Sequence, residues 1–109
     1  MLTLIKNILG IKTPINHYEL IKNGAIIIDV RSKSEFDQGH IEGSLNFPFM
    51  ELGHSAYSIN NLGKPIIVCC STGDRSSYAI LILKSHGFNE VYNGGNWVNL
   101  KKNISKKLS

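Results

Sequence analysis

Two apolar runs dominate the pattern of hydrophobic and polar positions along this chain. Residues 25–30 and 66–70 are apolar throughout, except for Asp29 near the end of the first run. Such continuous runs are typical of strands that are covered on both faces in a parallel sheet. Residues 91–93 predict a last short strand, and residues 45–48 predict a short extended segment.

Helical patterns alternate with these strands, and each is closed by a glycine signal. The predicted helices cover residues 14–22, 34–38 and 76–85. Pro14 suits a first helical turn and Ser34 suits an N-cap. Residues 49–62 have no clear period and predict a helix or an irregular connection. The alternation predicts an α/β domain with a mainly parallel central sheet of about four to five strands, flanked by helices.

Length and charge limit the function classes. A chain of 109 residues is predicted to form one domain at residues 13–100, with an N-terminal amphipathic segment at 1–12 and a lysine-rich tail at 101–109. The net charge of +4 comes from that tail, since the rest of the chain has 8 basic and 8 acidic residues. A terminal lysine cluster without interleaved aromatic residues predicts a solubilising end and no nucleic-acid partner.

The cysteines and the N-terminal segment indicate the compartment. Cys69 and Cys70 are adjacent, so a bridge between them would close no stabilising loop, and a reducing environment is expected. Lys6 and Asn7 interrupt the N-terminal apolar positions, and no run reaches the length of a membrane span. We therefore expect a cytoplasmic protein without a membrane partner.

Cys70 is the strongest candidate for reactivity. It ends the second long apolar run and precedes a helix, where backbone N–H groups and the helix dipole stabilise anions and thiolates. Arg75 adds a positive charge to the same loop. Together they predict a partly ionised nucleophile that acts on an anionic or sulfur-bearing substrate. Cys69 continues the apolar run and is expected to be packed in the sheet.

Three segments of the chain resemble signatures of the rhodanese-like domain family. The first comprises residues 29–31, 35–36, 39–44, 46 and 48, the second is the loop at 70–76, and the third comprises residues 93–95 with Trp97. The resemblance implies a single rhodanese-like domain and a sulfurtransferase activity. In this family the cysteine takes a sulfane sulfur from a donor, becomes a persulfide, and passes the sulfur to a thiophilic acceptor.

The resemblance also implies roles for the loop. Cys70 would be the catalytic residue, and the substrate-binding residues would be Ser71, Thr72, Gly73, Asp74, Arg75 and Ser76. The expected partners are a small donor, such as thiosulfate or a low-molecular-weight persulfide, and a thiol or protein acceptor. No cofactor is expected, and no metal, because the histidines and cysteines lack metal-ligand spacing.

The individual loop side chains suggest different contributions. Ser71 and Thr72 can offer hydroxyl donors to a persulfide, and Gly73 permits a tight turn. Ser76 is expected to cap the helix rather than to reach the sulfur.

The charged residues of the loop leave alternatives open. Asp74 places a negative charge where a dianionic donor would bind, so weak thiosulfate turnover is expected if its carboxylate faces the pocket. Arg75 would either face the substrate or pair with Asp74 or Asp29.

The polar residues around the loop are expected to be structural. Asp29, Arg31 and Glu35 would form ion pairs and cap-like bonds, and His40 would be a hydrogen-bonding scaffold residue. Trp97 is expected in the core, and residues 94–95 in a turn that brings backbone close to the loop.

Two other functions remain possible on these residues. Phosphatases and arsenate reductases of a related fold also use a cysteine, backbone amides and an arginine, but with five residues between cysteine and arginine. In this chain four residues, Ser71 to Asp74, separate Cys70 from Arg75. The shorter loop predicts a smaller cradle, suited to a single sulfur atom. A non-catalytic binding module is the other alternative, and the retained Cys70 argues against it.

Overall fold

The centre of the molecule is a four-stranded parallel sheet. The computed structural model describes residues 16–60 and 62–108. The strands are β1 (Ile26–Asp29), β2 (Leu45–Asn46), β3 (Ile66–Cys70) and β4 (Val91–Asn96). They lie in the order β2-β1-β3-β4, and each neighbouring pair is parallel. The α/β fold predicted from the alternating pattern is confirmed.

Helices connect the strands and cover both faces of the sheet. In the described ranges these are α1 (His17–Lys22), α2 (Lys33–Gln38), α3 (Leu52–Asn60), α4 (Asp74–Ser85) and α5 (Trp97–Leu108), with a 3-10 turn at Phe49–Glu51 before α3. The unpatterned segment after residue 48 is therefore mainly helical. Within residues 16–60 and 62–108, no helix is both long and apolar enough to cross a membrane.

The sheet separates two hydrophobic layers. Successive side chains of a strand point to opposite faces, so a strand covered on both sides is predominantly apolar. One layer contains Ile28, Leu52, Val68 and Leu83. The other contains Ile27, Ile67, Leu100 and Ile104. Cys70 belongs to the first layer and Cys69 to the second.

The strand register gathers the ends of the strands at one edge. Asp29 lies opposite Asn46 on one side and Cys69 on the other, and Cys70 lies opposite Asn96. The carboxyl ends of parallel strands meet at the same edge of a sheet, where ligands of such folds bind. The register therefore places Cys70 in the centre of this edge.

Several element boundaries differ from the predicted ones. Helix α1 has Asn16 as its N-cap and ends at Asn23, as predicted, whereas Pro14 lies outside the described residues. The capping serine of α2 is Ser32 and not Ser34, because Ser32 and Glu35 form a reciprocal capping box. Local capping geometry, which propensity alone does not resolve, decides between two nearby serines.

The last strand is longer than predicted. Gly94 and Gly95 do not form a turn that closes it, since β4 continues to Asn96 through an irregularity opposite Val68 and Cys69. A Cβ atom on Gly94 would lie 2.9 Å from side-chain atoms of both Ile67 and Leu100. Only glycine allows β4 to approach β3 and α5 so closely here.

The C-terminal helix crosses the predicted domain boundary at residue 100. Helix α5 begins at Trp97, and Leu100 and Ile104 are both buried in the second layer. Residues 101–104 are therefore part of the folded domain and not of a separate tail. Lys101 and Lys102, between these two residues, are exposed, and the density of lysines in the sequence hides the apolar positions. The predicted N-terminal segment 1–12 lies outside the described residues.

Candidate active site

The Cys70 thiol lies at the carboxyl end of β3, beneath the turn that leads into α4. Gly73 donates its N–H to the Cys70 sulfur at 2.9 Å. Gly73 has φ +92° and ψ −20°, a left-handed conformation that glycine adopts without strain. Cys70 itself is fully buried. The turn therefore places a backbone donor against the sulfur.

The N-terminus of α4 stabilises the thiolate. Burial raises the pKa of Cys70, but hydrogen bonds from the Ser76 hydroxyl and from the N–H groups of Ser76, Gly73 and Thr72 outweigh it. The net result is a pKa below the ordinary thiol value. A thiolate is the nucleophilic form of cysteine, so this site favours reaction.

Helix α4 begins earlier than predicted, and this changes the roles of the loop residues. Gly73 is its N-cap, so Asp74 and Arg75 belong to the first helical turn. Ser76 is not a cap: its hydroxyl lies 2.8 Å from both Gly73 O and Asn93 Oδ1. The hydroxyl carries one hydrogen, so the thiolate competes with these two oxygens for it.

We predict that Ser76→Ala raises the pKa of Cys70. The substitution removes the hydroxyl donor but leaves the backbone N–H groups in place. The thiolate absorbance in the ultraviolet, recorded against pH and corrected with Cys70→Ser, should then rise at higher pH than in the wild type. At neutral pH the variant should contain less thiolate.

The matched control for this titration is Ser77→Ala. Ser77 is the next residue of α4, is exposed, and donates to Gly73 O at 3.1 Å. We expect its titration to follow that of the wild type. A Ser76→Ala curve that coincides with the Ser77→Ala curve would show that the hydroxyl does not stabilise the thiolate.

Arg75 is held beside the loop by two contacts. One guanidinium nitrogen donates to Ser71 Oγ at 2.9 Å, and the other lies 3.5 Å from Glu35 Oε1. The expected alternative partners, Asp74 and Asp29, are not the ones observed. The side chains of Arg75 and Glu35 are 38% and 41% exposed, so this ion pair is open to solvent.

Thr72 and Asp74 are the exposed residues of the turn. The Thr72 N–H contributes to lowering the pKa of Cys70, while the Thr72 hydroxyl accepts from the Asp74 N–H at 3.4 Å. Asp74 occupies the first turn of α4, where the helix dipole favours a carboxylate. Weak use of thiosulfate because of the Asp74 charge stays a prediction.

A buried ion pair forms the wall of the site below β1. Arg31 donates to both carboxylate oxygens of Asp29, the shortest contact being 2.8 Å, and to Gly39 O at 2.7 Å. Its guanidinium carbon lies 4.4 Å from the ring centroid of Trp97. Burial lowers the pKa of Arg31, but the hydrogen bond and charge of Asp29 outweigh this and raise it. The predicted structural role of this pair is confirmed.

Three asparagines organise the edge, and no individual role is predicted for any of them from the sequence. Asn46 donates to the carbonyl oxygens of Asp29 and Arg31. Asn93 Oδ1 accepts from the Gly95 N–H and lies beside Ser76. Asn96 donates to Ser71 O, which ties β4 to the loop. The repeated occurrence of asparagine at or near predicted strand ends could have indicated this role from the sequence.

His40 and Cys69 have the structural roles that were predicted. His40 Nδ1 bonds to Phe36 O at 2.7 Å, and its ring stacks on Phe36 at 3.7 Å. Burial raises the pKa of Cys69 to about 12. Cys69 is therefore a neutral thiol in the core, whereas its neighbour Cys70 is activated.

An open cleft adjoins the site. It has a volume of about 300 Å³ and is lined by Arg31, Glu35, Gln38, Gly39 and Trp97. In the part of the chain that the structure describes, no group of three or more His, Cys, Asp or Glu residues is arranged to hold a metal ion.

The residues that form the sheet and the site are also covered by a match to a known family. The model of the rhodanese-like domain matches residues 13–96. The chain belongs to the rhodanese-like domain family. The relatives of this domain include sulfurtransferases, and its α/β sheet matches that of a solved rhodanese-like domain. The domain is therefore assigned to the rhodanese-type sulfurtransferases.

Three relatives show the extent of the similarity. A thiosulfate sulfurtransferase GlpE of Ectopseudomonas mendocina is 38% identical over 80 residues, which are 73% of this chain and 72% of the relative. A tRNA sulfurtransferase of Thermoplasma acidophilum is 30% identical over 92% of this chain, but the chain spans only 20% of that relative. The crystal structure of the Rhodanese_3 like domain of Anabaena sp. Alr3790 has a TM-score of 0.67 and 30% identity, over 74% of this chain and 93% of the neighbour.

Proposed function

We propose that this rhodanese-like domain transfers a sulfane sulfur through a persulfide on Cys70. The observation that carries the proposal is the hydrogen bond from the Gly73 N–H to the Cys70 sulfur, at the N-terminus of α4. This environment lowers the pKa of the thiol and orients donors around the position of a bound anion. The same donors suit a persulfide, which is itself anionic.

In the first half-reaction the Cys70 thiolate attacks the outer sulfur of a donor. With thiosulfate, a new S–S bond forms to Cys70, the S–S bond of thiosulfate breaks, and its electron pair leaves with sulfite. The thiolate becomes a persulfide anion, so the total charge of −3 is conserved. With a persulfide donor the leaving group is a thiolate instead.

In the second half-reaction an acceptor attacks the terminal sulfur of the persulfide. An acceptor thiolate forms a new S–S bond, and the Cys70–S bond breaks so that the electron pair returns to Cys70 as a thiolate. Cyanide reacts in the same way and leaves as thiocyanate. No external oxidant or reductant is needed, because one sulfur atom is passed on at constant oxidation state.

The remaining loop residues bind the donor in this proposal. Thr72, Gly73 and Ser76 provide hydrogen-bond donors to the sulfur, and Arg75 with Ser71 lies at the rim of the loop. Asp74 adds a negative charge at the exposed side of the turn. This charge favours a donor with less charge than thiosulfate, such as a low-molecular-weight or protein-bound persulfide.

The direct test is the mass of Cys70 after exposure to a donor. The protein is incubated with thiosulfate or with a small persulfide, freed of donor without reductant, and measured intact and after digestion. We expect a mass increase of one sulfur atom on the peptide that contains Cys70, which cyanide or a thiol removes.

Cys69→Ala and Cys70→Ser separate the two adjacent thiols in this test. The first variant should still gain and lose one sulfur, and the second should gain none. An unmodified Cys70 under both donors would refute the proposal. Hydrolysis of an aryl phosphate that is lost in Cys70→Ser would favour a phosphatase instead.

A further inference from the structure

We infer that Glu35 sets the charge preference of the Cys70 site by holding Arg75 in an ion pair, and thereby disfavours doubly charged sulfur donors. The inference rests on the proposed function for the identity of the donor. It adds a residue from a different element, helix α2, which lies 40 positions from Arg75 along the chain. Glu35 is thus a positioning residue and does not touch the sulfur.

Arg75 lies between Ser71 and Glu35. Its guanidinium bridges Ser71 Oγ, directly after the nucleophile, and the Glu35 carboxylate. Its positive charge therefore lies beside the path of an anion that enters over Ser71. As long as it is paired with Glu35, its charge is already compensated.

The ion pair between Arg75 and Glu35 is long and open to solvent. The Arg75–Glu35 distance is 3.5 Å and both side chains are more than a third exposed. Ion pairs of this kind are weak, so an anion of sufficient charge can displace Glu35 from Arg75. The cost of displacement falls on the anionic donor, and it is absent for a neutral one.

Its surroundings favour the charged form of Glu35. Hydrogen bonds from the Ser32 backbone and hydroxyl, followed by the contact with Arg75, hold the pKa of Glu35 below its usual value. The capping box also fixes the carboxylate in place: Glu35 Oε1 accepts from the Ser32 N–H at 3.1 Å. The site therefore contains a well-positioned carboxylate, charged at neutral pH, next to its arginine.

The charged residues at the rim of the loop sum to a net negative charge. Arg75 contributes one positive charge, while Glu35 and Asp74 contribute two negative charges. The Arg31 cation nearby is already engaged by Asp29 at 2.8 Å. A dianion such as thiosulfate meets a rim that is slightly negative, whereas a monoanionic persulfide meets less repulsion.

The test compares two alkylating reagents of nearly equal size and different charge. Iodoacetate is an anion and iodoacetamide is neutral, so the ratio of their rate constants at Cys70 reports the local charge. Because Cys70 is fully buried, both reagents require the same opening of the loop, and the ratio cancels that opening. In Glu35→Gln the ratio of iodoacetate to iodoacetamide should rise about two- to fivefold at low salt, and the rise should shrink at high salt.

Glu35→Gln is chosen because glutamine can keep the capping box without the charge. Asp37→Asn is the charge control, since it removes one carboxylate from the same helix, in an exposed pair with Lys33. This control should keep the wild-type ratio.

The outcomes separate this inference from the proposed function. Alkylation involves no sulfur transfer, so the ratio tests Glu35 even if no persulfide forms. In steady-state assays of sulfur transfer, Glu35→Gln should lower KM for thiosulfate more than KM for a monoanionic thiosulfonate, with little change in kcat. An unchanged alkylation ratio in Glu35→Gln, or an equal rise in Asp37→Asn, would overturn the inference.

Discussion

Replacing Cys70 by serine is expected to lower kcat/KM for sulfur transfer by at least about a thousandfold, because the variant has no atom that can carry the sulfur. A serine hydroxyl occupies nearly the same space at the end of β3, so the backbone donors of Thr72, Gly73 and Ser76 remain in place. The loss would therefore come from chemistry and not from the fold. It is measured as thiocyanate formed from thiosulfate and cyanide, together with the thermal midpoint of each variant.

Cys69→Ala is the matched comparison, one position away in the same strand. The Cys69 side chain lies in the opposite hydrophobic layer, and burial raises its pKa to about 12. We expect this variant to lose some stability through the small cavity and to keep its kcat/KM within a few-fold of the wild type. Equal activity losses in the two variants would mean that the adjacent thiols are not differentiated as the structure indicates.

The second large effect concerns stability. Asp29→Asn is expected to lower the free energy of unfolding by about 3–5 kcal/mol, because it leaves the Arg31 charge buried without a counter-charge. The side chains of Asp29 and Arg31 are only 1% and 5% exposed, and two guanidinium nitrogens donate to the carboxylate. Urea denaturation followed by circular dichroism measures the change.

Asp37→Asn provides the surface counterpart of this experiment. Its contact with Lys33, at 2.7 Å, is about as short as the 2.8 Å contact between Asp29 and Arg31, but the side chains of Asp37 and Lys33 are 55% and 80% exposed. Its loss should cost less than about 1 kcal/mol. If Asp29→Asn were no more destabilising than Asp37→Asn, the Asp29–Arg31 pair would not be a structural support of the site.

Together these two expectations assign different tasks to the two sides of the sheet edge. The β1 side holds Asp29 and Arg31 in a closed, fully bonded wall, which also fixes Gly39 and the Trp97 ring. The β3 side holds Cys70 at the start of a helix, where charge is stabilised without a counter-ion. The Arg75–Glu35 pair connects the two sides across the mouth of the loop.

The sequence predicted more of the fold than of the site. Continuous apolar runs identify β1 and β3 because a strand covered on both faces is apolar at nearly every position, and the polar Asp29 at the end of β1 is ion-paired. Helix α5 was mistaken for a tail beyond residue 100, since Leu100 and Ile104 are hidden among lysines. Boundaries such as Ser32 in place of Ser34, or the start of α4 at Asp74, depend on hydrogen bonds that compete over one or two residues.

What the sequence determined by itself is the local setting of the proposed nucleophile. Cys70 at the end of an apolar strand, followed by Gly73 and a helix, is sufficient because strand end, left-handed turn and helix N-terminus are all local features. Only the tertiary structure decided which partners surround it. Ser76 Oγ lies 2.8 Å from Asn93 Oδ1 of β4, Asn96 ties the loop to β4, and Arg75 pairs with Glu35 of α2. Each of these contacts joins elements that the packing of helices on the sheet brings together. Local spacing predicts reactivity, whereas long-range packing sets the charge that a donor meets.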